Sequence, residues 1–150
     1  AGSAIEIEGP YGDLTLHDAA ARPAVFLAGG IGITPFRSMI RDAAKHTRAR
    51  DLYLFYSNRS AEDAAFLSEL EQAARDNPGF KLVATMTDAP DWQGERGFIT
   101  REMIERHVGD IASPGFYLAG PPAMVAAMAT LLTKAGVRPE SIRAEEFAGY

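Results

Sequence analysis

Cysteine is absent from the 150-residue chain, so no disulfide, thiolate-bound zinc or thiolate-bound iron–sulfur cluster can form within it. Positive charge is also scarce. Fifteen Lys and Arg against twenty Asp and Glu leave a formal charge of −5, and no basic block could neutralise a run of phosphates, which excludes nucleic acid as the expected partner. Long apolar runs are missing: Ala24–Ala28 and Ala123–Leu132 are the longest, far short of the roughly 20 residues that span a bilayer. The first residues lack the basic and apolar pattern of a leader, so the expectation is a cytoplasmic protein without a membrane span.

Two further absences narrow the chemistry. His17, His46 and His107 stand far apart in unrelated contexts, which gives a three-histidine metal site no support and makes surface histidines the better reading. Ser38, Ser57 and Ser113 lack the Gly-x-Ser-x-Gly surroundings of a nucleophile elbow, against an α/β-hydrolase.

What is present is alternation. Short apolar, β-rich runs at Ala24–Leu27, Leu52–Tyr56, Lys81–Thr85, Gly115–Ala119 and Ser141–Glu145 are separated by helical patterns at Pro35–Lys45, Ala61–Arg75, Thr100–His107 and Pro122–Ala135. Repeated βαβ units predict a parallel sheet whose strands are apolar on both faces because helices cover both. Thr34 is placed to cap the first helix with Pro35 at its first position, and Gly136 to end the last in a left-handed conformation. Before Ala24 the pattern differs. Ile5 and Ile7 alternate with Glu6 and Glu8, a turn follows at Gly9-Pro10-Tyr11-Gly12-Asp13, and Leu14-Thr15-Leu16 continues, which reads as an antiparallel fragment.

The strongest site signal is Gly29-Gly30-Ile31-Gly32-Ile33-Thr34-Pro35, between the first strand and its helix. Glycines there let a backbone approach a pyrophosphate, while the helix turns free amides and its positive dipole end toward the anion. Counted from Gly30, the run reads Gly-x-Gly-x-x-Pro, so the third glycine of the usual dinucleotide fingerprint is missing; no Lys-Ser or Lys-Thr follows for a phosphate loop. At the second strand end Ser57-Asn58-Arg59 stands where an NAD-selective fold usually carries an acid. Arg59 can pair with a 2′-phosphate, lie along adenine, or pair with Glu62 or Asp63 at the surface. A second strand–turn–helix junction follows at Phe116-Tyr117-Leu118-Ala119-Gly120-Pro121-Pro122-Ala123-Met124. Its residues read either as the far side of a ligand crevice or as a rigid helix start with Met124 and Met128 in the core.

These motifs together resemble the ferredoxin-NADP reductase family of flavoproteins, with its Gly-Gly-x-Gly-[Ile/Val]-[Thr/Ala]-Pro loop, its Tyr-[Ser/Gly]-x-Arg strand end and its Cys-Gly-Pro-Pro-x-Met turn. The likeness implies a five-stranded parallel, Rossmann-like sheet in the order 3-2-1-4-5. Residues 1–20 would then be the end of a flavin-binding barrel with its connecting segment, and residues 21–150 an NAD(P)H-binding domain. It implies that Gly29, Gly30, Ile31, Gly32, Ile33, Thr34 and Pro35 hold the pyrophosphate, and that Ser57, Asn58, Arg59 and Asp88 surround the adenosine end. Gly120, Pro121, Pro122 and Met124 would lie at the nicotinamide end, and the C-terminal Phe147 and Tyr150 near the flavin. Thr34 and Phe147 are then the residues that position the reacting rings, with no general base required. Ala119 occupies the place of the family's cysteine. Asp88 stands where NADPH-using relatives carry a basic residue and would repel a 2′-phosphate.

The implied function is to orient NADH or NADPH for hydride transfer to FAD held by a flavin-binding domain of the same protein or a separate chain, and onward to an acceptor such as ferredoxin. The family's Arg-x-[Tyr/Phe]-[Ser/Thr] flavin motif is not found, and there is no room here for a six-stranded barrel. The isolated chain is expected to be inactive without its flavin domain. A non-catalytic nucleotide-binding or docking module is the alternative. A flavodoxin-like FMN domain is disfavoured because its phosphate loop would be rich in serine and threonine.

Overall fold

The computed structural model describes residues 14–16, 22–45 and 51–147. The expected turn at Gly9–Asp13, the alternating Ile5–Glu8, His17, His46 and Tyr150 lie outside the described residues. Leu14, Thr15 and Leu16 are described and form no strand; both leucines pack partly buried against the first helix side of the core.

The strands are β1 (Ala24–Gly29), β2 (Leu52–Asn58), β3 (Phe80–Met86), β4 (Glu95–Arg96), β5 (Gly115–Gly120) and β6 (Ile142–Glu146). The helices are α1 (Ile33–Lys45), α2 (Leu67–Asp76), α3 (Arg101–Val108) and α4 (Pro122–Lys134). All strand pairs are parallel, in the order β4-β3-β2-β1-β5-β6. The expected five strands are therefore present in their expected order, and β4 is a sixth, added beyond β3. It consists of two charged residues held by the pairs Thr85↔Glu95 and Met86↔Arg96, too short and too polar to register as an apolar run.

Strand periodicity divides the core in two. In β1 and β2, Ala24, Phe26, Ala28, Leu52, Leu54 and Tyr56 face α1 and α2, whereas Val25, Leu27, Tyr53 and Phe55 face α3 and α4. The register Ala24↔Leu52 and Ala24↔Gly115 keeps these parities aligned across the sheet, so a one-residue slip would exchange the two faces. On the first face Phe26 stacks on Phe36 of α1, ring centroids 4.7 Å apart. Burying each such ring removes enough apolar area to contribute about 1.5–3 kcal/mol. Every residue of β1 is buried, which explains an apolar run without alternation.

Three local expectations are corrected. Helix α2 begins at Leu67 rather than Ala61: the Tyr56 hydroxyl donates to the Ala65 carbonyl at 3.2 Å, and Phe66 has the left-handed φ of 61°. Phe66, inside the expected helix Ala61–Arg75, lies before α2 and is 40% exposed, its ring under the Arg37 guanidinium. Thr34 caps nothing, because the Gly30–Gly32 3-10 turn and Ile33 start the helical path before it; its hydroxyl donates to the Ile31 carbonyl at 3.1 Å. The remaining helix ends follow the residue signals. Thr100 caps α3 by accepting from the Met103 amide, and Gly136 takes a φ of 88° after α4. Among the described residues no helix is long and apolar enough to cross a membrane.

Candidate functional site

Both glycine turns lie at the C-terminal edge of the sheet, on the adjacent strands β1 and β5. The chain leaves β1 toward α1 and β2, and leaves β5 toward α4 and β6, so the strand order reverses between them. In open α/β sheets that switch point is where ligands bind. The two turns touch. A Cβ placed on Gly32 would collide with the Ala119 carbonyl and the Gly120 amide nitrogen, so only glycine lets the first loop settle onto the end of β5. Gly30, with φ of 52°, reverses the chain in a conformation that a side chain would strain.

From this junction a groove of about 570 Å³ runs across the sheet edge toward β2 and β3. Gly29 and Gly30 form one end; Ser57, Asn58, Arg59 and Thr87 form the floor and far side; Pro121, Ala123, Met124, Ala127 and Met128 of the α4 junction form a wall. Phe98, largely exposed, forms a lip, and the buried Ile99 completes the lining. The wall is mostly apolar, with backbone and a few polar groups at the strand ends, the common composition of a cofactor site. The Ile33 amide donates back to the Gly30 and Ile31 carbonyls, and those of Met124 and Val125 to the Pro121 carbonyl, so what α1 and α4 bring to this edge is chiefly the positive dipole end of each helix.

Of the residues expected from sequence, the groove joins Gly29, Gly30, Ser57, Asn58, Arg59, Pro121 and Met124. Ile33 is fully buried in the core, leaving its backbone alone to face a ligand. Ile31, Gly32, Thr34 and Pro35 continue the loop into α1 beside the groove, and Pro122 is exposed at the start of α4. Phe147 is carried to the switch point by strand pairing: β6 pairs with β5 up to Gly120↔Glu146, and the Phe147 amide then donates to the Gly120 carbonyl at 3.0 Å. Its half-buried side chain packs on the α1 side of the core.

Two polar features stand out at the strand ends. Asn58 is 6% exposed, and neither its side-chain nitrogen nor its oxygen has a hydrogen-bond partner. Leaving a buried carboxamide unsatisfied costs on the order of 1–3 kcal/mol, which a bound polar group would offset. Asn58 sits beside the Tyr56 hydroxyl, near enough to oppose part of its shift without reaching hydrogen-bond geometry; burial dominates and pushes Tyr56 up to about 12. Arg59 pairs with Asp88 at 3.7 Å, not with Glu62 or Asp63, and both partners are exposed. Backbone bonds from Thr87 to Asn58 and from Asp88 to Arg59 align the two strand ends.

Sequence reasoning missed Phe98, Ile99, Thr87 and Ala127, and read Met128 only as a core residue. Phe98 is the clearest omission, a phenylalanine 78% exposed on the lip of an apolar groove. Its only sequence signal is an aromatic residue next to Gly97 between a charged segment and a helix start. His107 forms no metal cluster among the described residues; its Nε2 lies 2.9 Å from Glu95 Oε1.

The fold and this groove define a dinucleotide-binding type of α/β domain. Residues 26–130 match the model of the oxidoreductase NAD-binding domain family, and the chain belongs to that family. The ferredoxin-reductase-like resemblance drawn from the two glycine turns is borne out. The chain is 35% identical over 99% of its length to a component of the Na(+)-translocating NADH-quinone reductase of Klebsiella pneumoniae, covering 38% of that protein. It is 30% identical over 97% of its length to the ferredoxin--NAD(P)(+) reductase component of the naphthalene 1,2-dioxygenase system of Pseudomonas putida, covering 44%. Among solved structures, the Amycolatopsis cytochrome P450 reductase GcoB superposes with a TM-score of 0.82 at 31% identity, over 93% of this chain and 42% of that one. The flavohemoglobin of Malassezia yamatoensis, solved with bound FAD and heme, gives 0.81 at 27%, over 93% and 36%. The chain thus spans about two fifths of the curated relatives it matches.

Proposed function

We propose that this domain binds NADH across the C-terminal edge of the sheet and presents its nicotinamide to FAD held mainly by a flavin-binding domain outside residues 21–150. The observation that carries the reading is the contact of the two glycine turns at the switch point, at one end of an apolar groove. The pyrophosphate belongs on the loop from Gly29 to Thr34, where backbone approach and the α1 dipole favour an anion. The adenosine belongs between Phe98 and the wall formed by Met124 and Met128, with Ser57, Asn58 and Arg59 at its polar side. The nicotinamide belongs beside Gly120 and Phe147.

Bound nicotinamide and flavin supply the hydride chemistry. This chain's part is positioning. The Thr34 hydroxyl is held by Ile31, and Phe147 is tethered to Gly120 through its backbone, so the loop and the aromatic ring are fixed to adjacent strand ends. An aromatic side chain there can cover the flavin face and yield to nicotinamide. No side chain must act as a base. Electrons would pass from the flavin to a protein or small acceptor, with ferredoxin one such partner.

NADH is favoured over NADPH because the Asp88 carboxylate accompanies Arg59. A 2′-phosphate placed on Arg59 would meet that negative charge as well. Fluorescence titration of the purified chain with NADH and NADPH tests the reading. Binding of NADH that Gly30→Val weakens by roughly five- to thirtyfold supports it, since the variant forces a side chain into a left-handed position at a cost of about 1–2 kcal/mol. A native chain that binds neither nucleotide sinks it.

A further inference from the structure

We infer that Glu95, gripped by Arg106 and His107, is a positioning residue that sets nucleotide affinity through Phe98, a role that rests on the nucleotide-binding reading above. The lip is built on slender support. Strand β4 has two residues, and the chain leaves it through Gly97, whose φ is 83°. Backbone pairing of so short a segment is marginal on its own. Two bonds continue the attachment by one residue: the Gly97 amide donates to the Met86 carbonyl at 2.9 Å, and the Thr85 hydroxyl donates to the Gly97 carbonyl at 2.7 Å.

Arg96 Nε donates to the Trp92 carbonyl at 2.9 Å, and a further hold comes from the last turn of α3. Glu95 Oε1 accepts from Arg106 at 2.7 Å and lies 2.9 Å from His107 Nε2. His107 itself packs edge-on against Phe55, ring centroids 5.9 Å apart, which ties this end of α3 to the sheet. Phe98 and Ile99 lie between Glu95 and the Thr100 cap of α3. The chain therefore leaves β4, passes the groove lip, enters α3 and is tied back to β4 near the helix's last turn. Within that closed segment Ile99 is buried and Phe98 projects.

Core packing gives Phe98 no reason to stay where it is. With 78% of its surface exposed, its position is set by the backbone around it, and that backbone is anchored on one side by Ile99 and on the other by Glu95. Losing the Glu95 contacts would leave the two-residue ladder, the two Gly97 bonds and the burial of Ile99 to hold the lip against the nucleotide. Glu95 lines a separate outer groove with Glu71 and Arg75 of α2 and is not among the residues lining the groove at the glycine turns. Its effect on a nucleotide there is therefore indirect, through the lip.

A double-mutant cycle read by NADH titration tests this. Glu95→Ala should weaken NADH binding on the order of three- to tenfold, as contacting residues couple, and should change nothing further in a Phe98→Ala background. Glu95→Gln keeps an acceptor oxygen for Arg106 and should retain most of the affinity. Arg106→Ala, at an exposed helix site, should reproduce part of the loss and serves if Glu95→Ala fails to fold, with circular dichroism as the check. Equal losses in the native and Phe98→Ala backgrounds, or native affinity in both Glu95→Ala and Arg106→Ala, overturn the positioning role. Failure of the unmodified chain to bind NADH overturns the nucleotide reading and this inference with it; additive losses in a chain that binds overturn the inference alone.

Discussion

Gly32 and Ala119 meet backbone to backbone, with no space for a Cβ between the first loop and the Ala119 carbonyl, one residue before the end of β5. The neighbour is main chain within a parallel strand pair, so it cannot turn aside as a flexible side chain could. Gly32→Ala should therefore cost about 1–3 kcal/mol of stability through overpacking and displace the loop on which a pyrophosphate would rest. Chemical denaturation should show the loss, and NADH titration should show weakened binding beyond it. Gly29 offers the contrast. A Cβ there meets chiefly the Met124 thioether, which can move, so Gly29→Ala should be the milder change in stability.

Tyr56 ties down the segment before α2. Its hydroxyl is the donor that holds the Ala65 carbonyl, and burial raises its pKa from 10.0 to about 12. A raised pKa means that the folded state keeps a proton the unfolded chain loses. The associated stability is present below pH 10 and is lost as pH rises toward 12. Tyr56→Phe should cost about 1 kcal/mol at neutral pH and flatten this alkaline loss, measured by denaturant unfolding across that range. An unchanged alkaline slope in the variant would assign the effect to other groups.

The five principal strands and both glycine turns were legible because each depends on local chemistry: uninterrupted apolar runs for strands covered on two faces, and glycines where backbone meets backbone. The start of α2 was not. Ala61, Glu62, Ala64 and Ala65 have helical character, yet tertiary contacts at Tyr56 and Arg37 hold the chain in turns until Leu67. Thr34 reads as a cap for a similar reason, since nothing local announces that a 3-10 turn of glycines will start the helical path earlier. Strand β4 and the Phe98 lip depend on Glu95 meeting residues eleven and twelve positions later. An ion-pair anchor between a strand edge and a helix leaves no periodic trace.

That anchor has a pH signature. Hydrogen bonding from Arg106, then from His107, holds the Glu95 carboxyl below its ordinary 4.5, and the Arg37 guanidinium does the same for Glu69. For carboxyls with depressed folded-state pKa values, the stabilisation is present above 4.5 and is lost as pH falls through the lower, folded value. NADH affinity, measured where the chain stays folded, should thus decline only below pH 4.5 as far as Glu95 governs it. Glu95→Gln should lack this component, and an identical acid profile in the variant would remove the carboxylate from the account.

Arg59 and Asp88 together face the position of a 2′-phosphate in the proposed site. Their ion pair is long at 3.7 Å and both side chains are largely exposed, so it contributes at most about 1 kcal/mol and Arg59 can turn toward an incoming anion. If a 2′-phosphate uses that guanidinium, Arg59→Ala should weaken NADPH more than NADH, by roughly tenfold for a change of about 1.4 kcal/mol. Asp88→Asn should act in the opposite sense, strengthening NADPH while leaving NADH nearly unchanged, because it removes the charge that a phosphate would meet and a ribose hydroxyl would not. Parallel titrations of the native chain and both variants with each nucleotide belong under one salt condition, which matters for exposed charges. Equal losses of both nucleotides in Arg59→Ala would instead give the guanidinium a role along the adenine face. An Asp88→Asn variant with unchanged NADPH affinity would remove the carboxylate as the source of NADH preference.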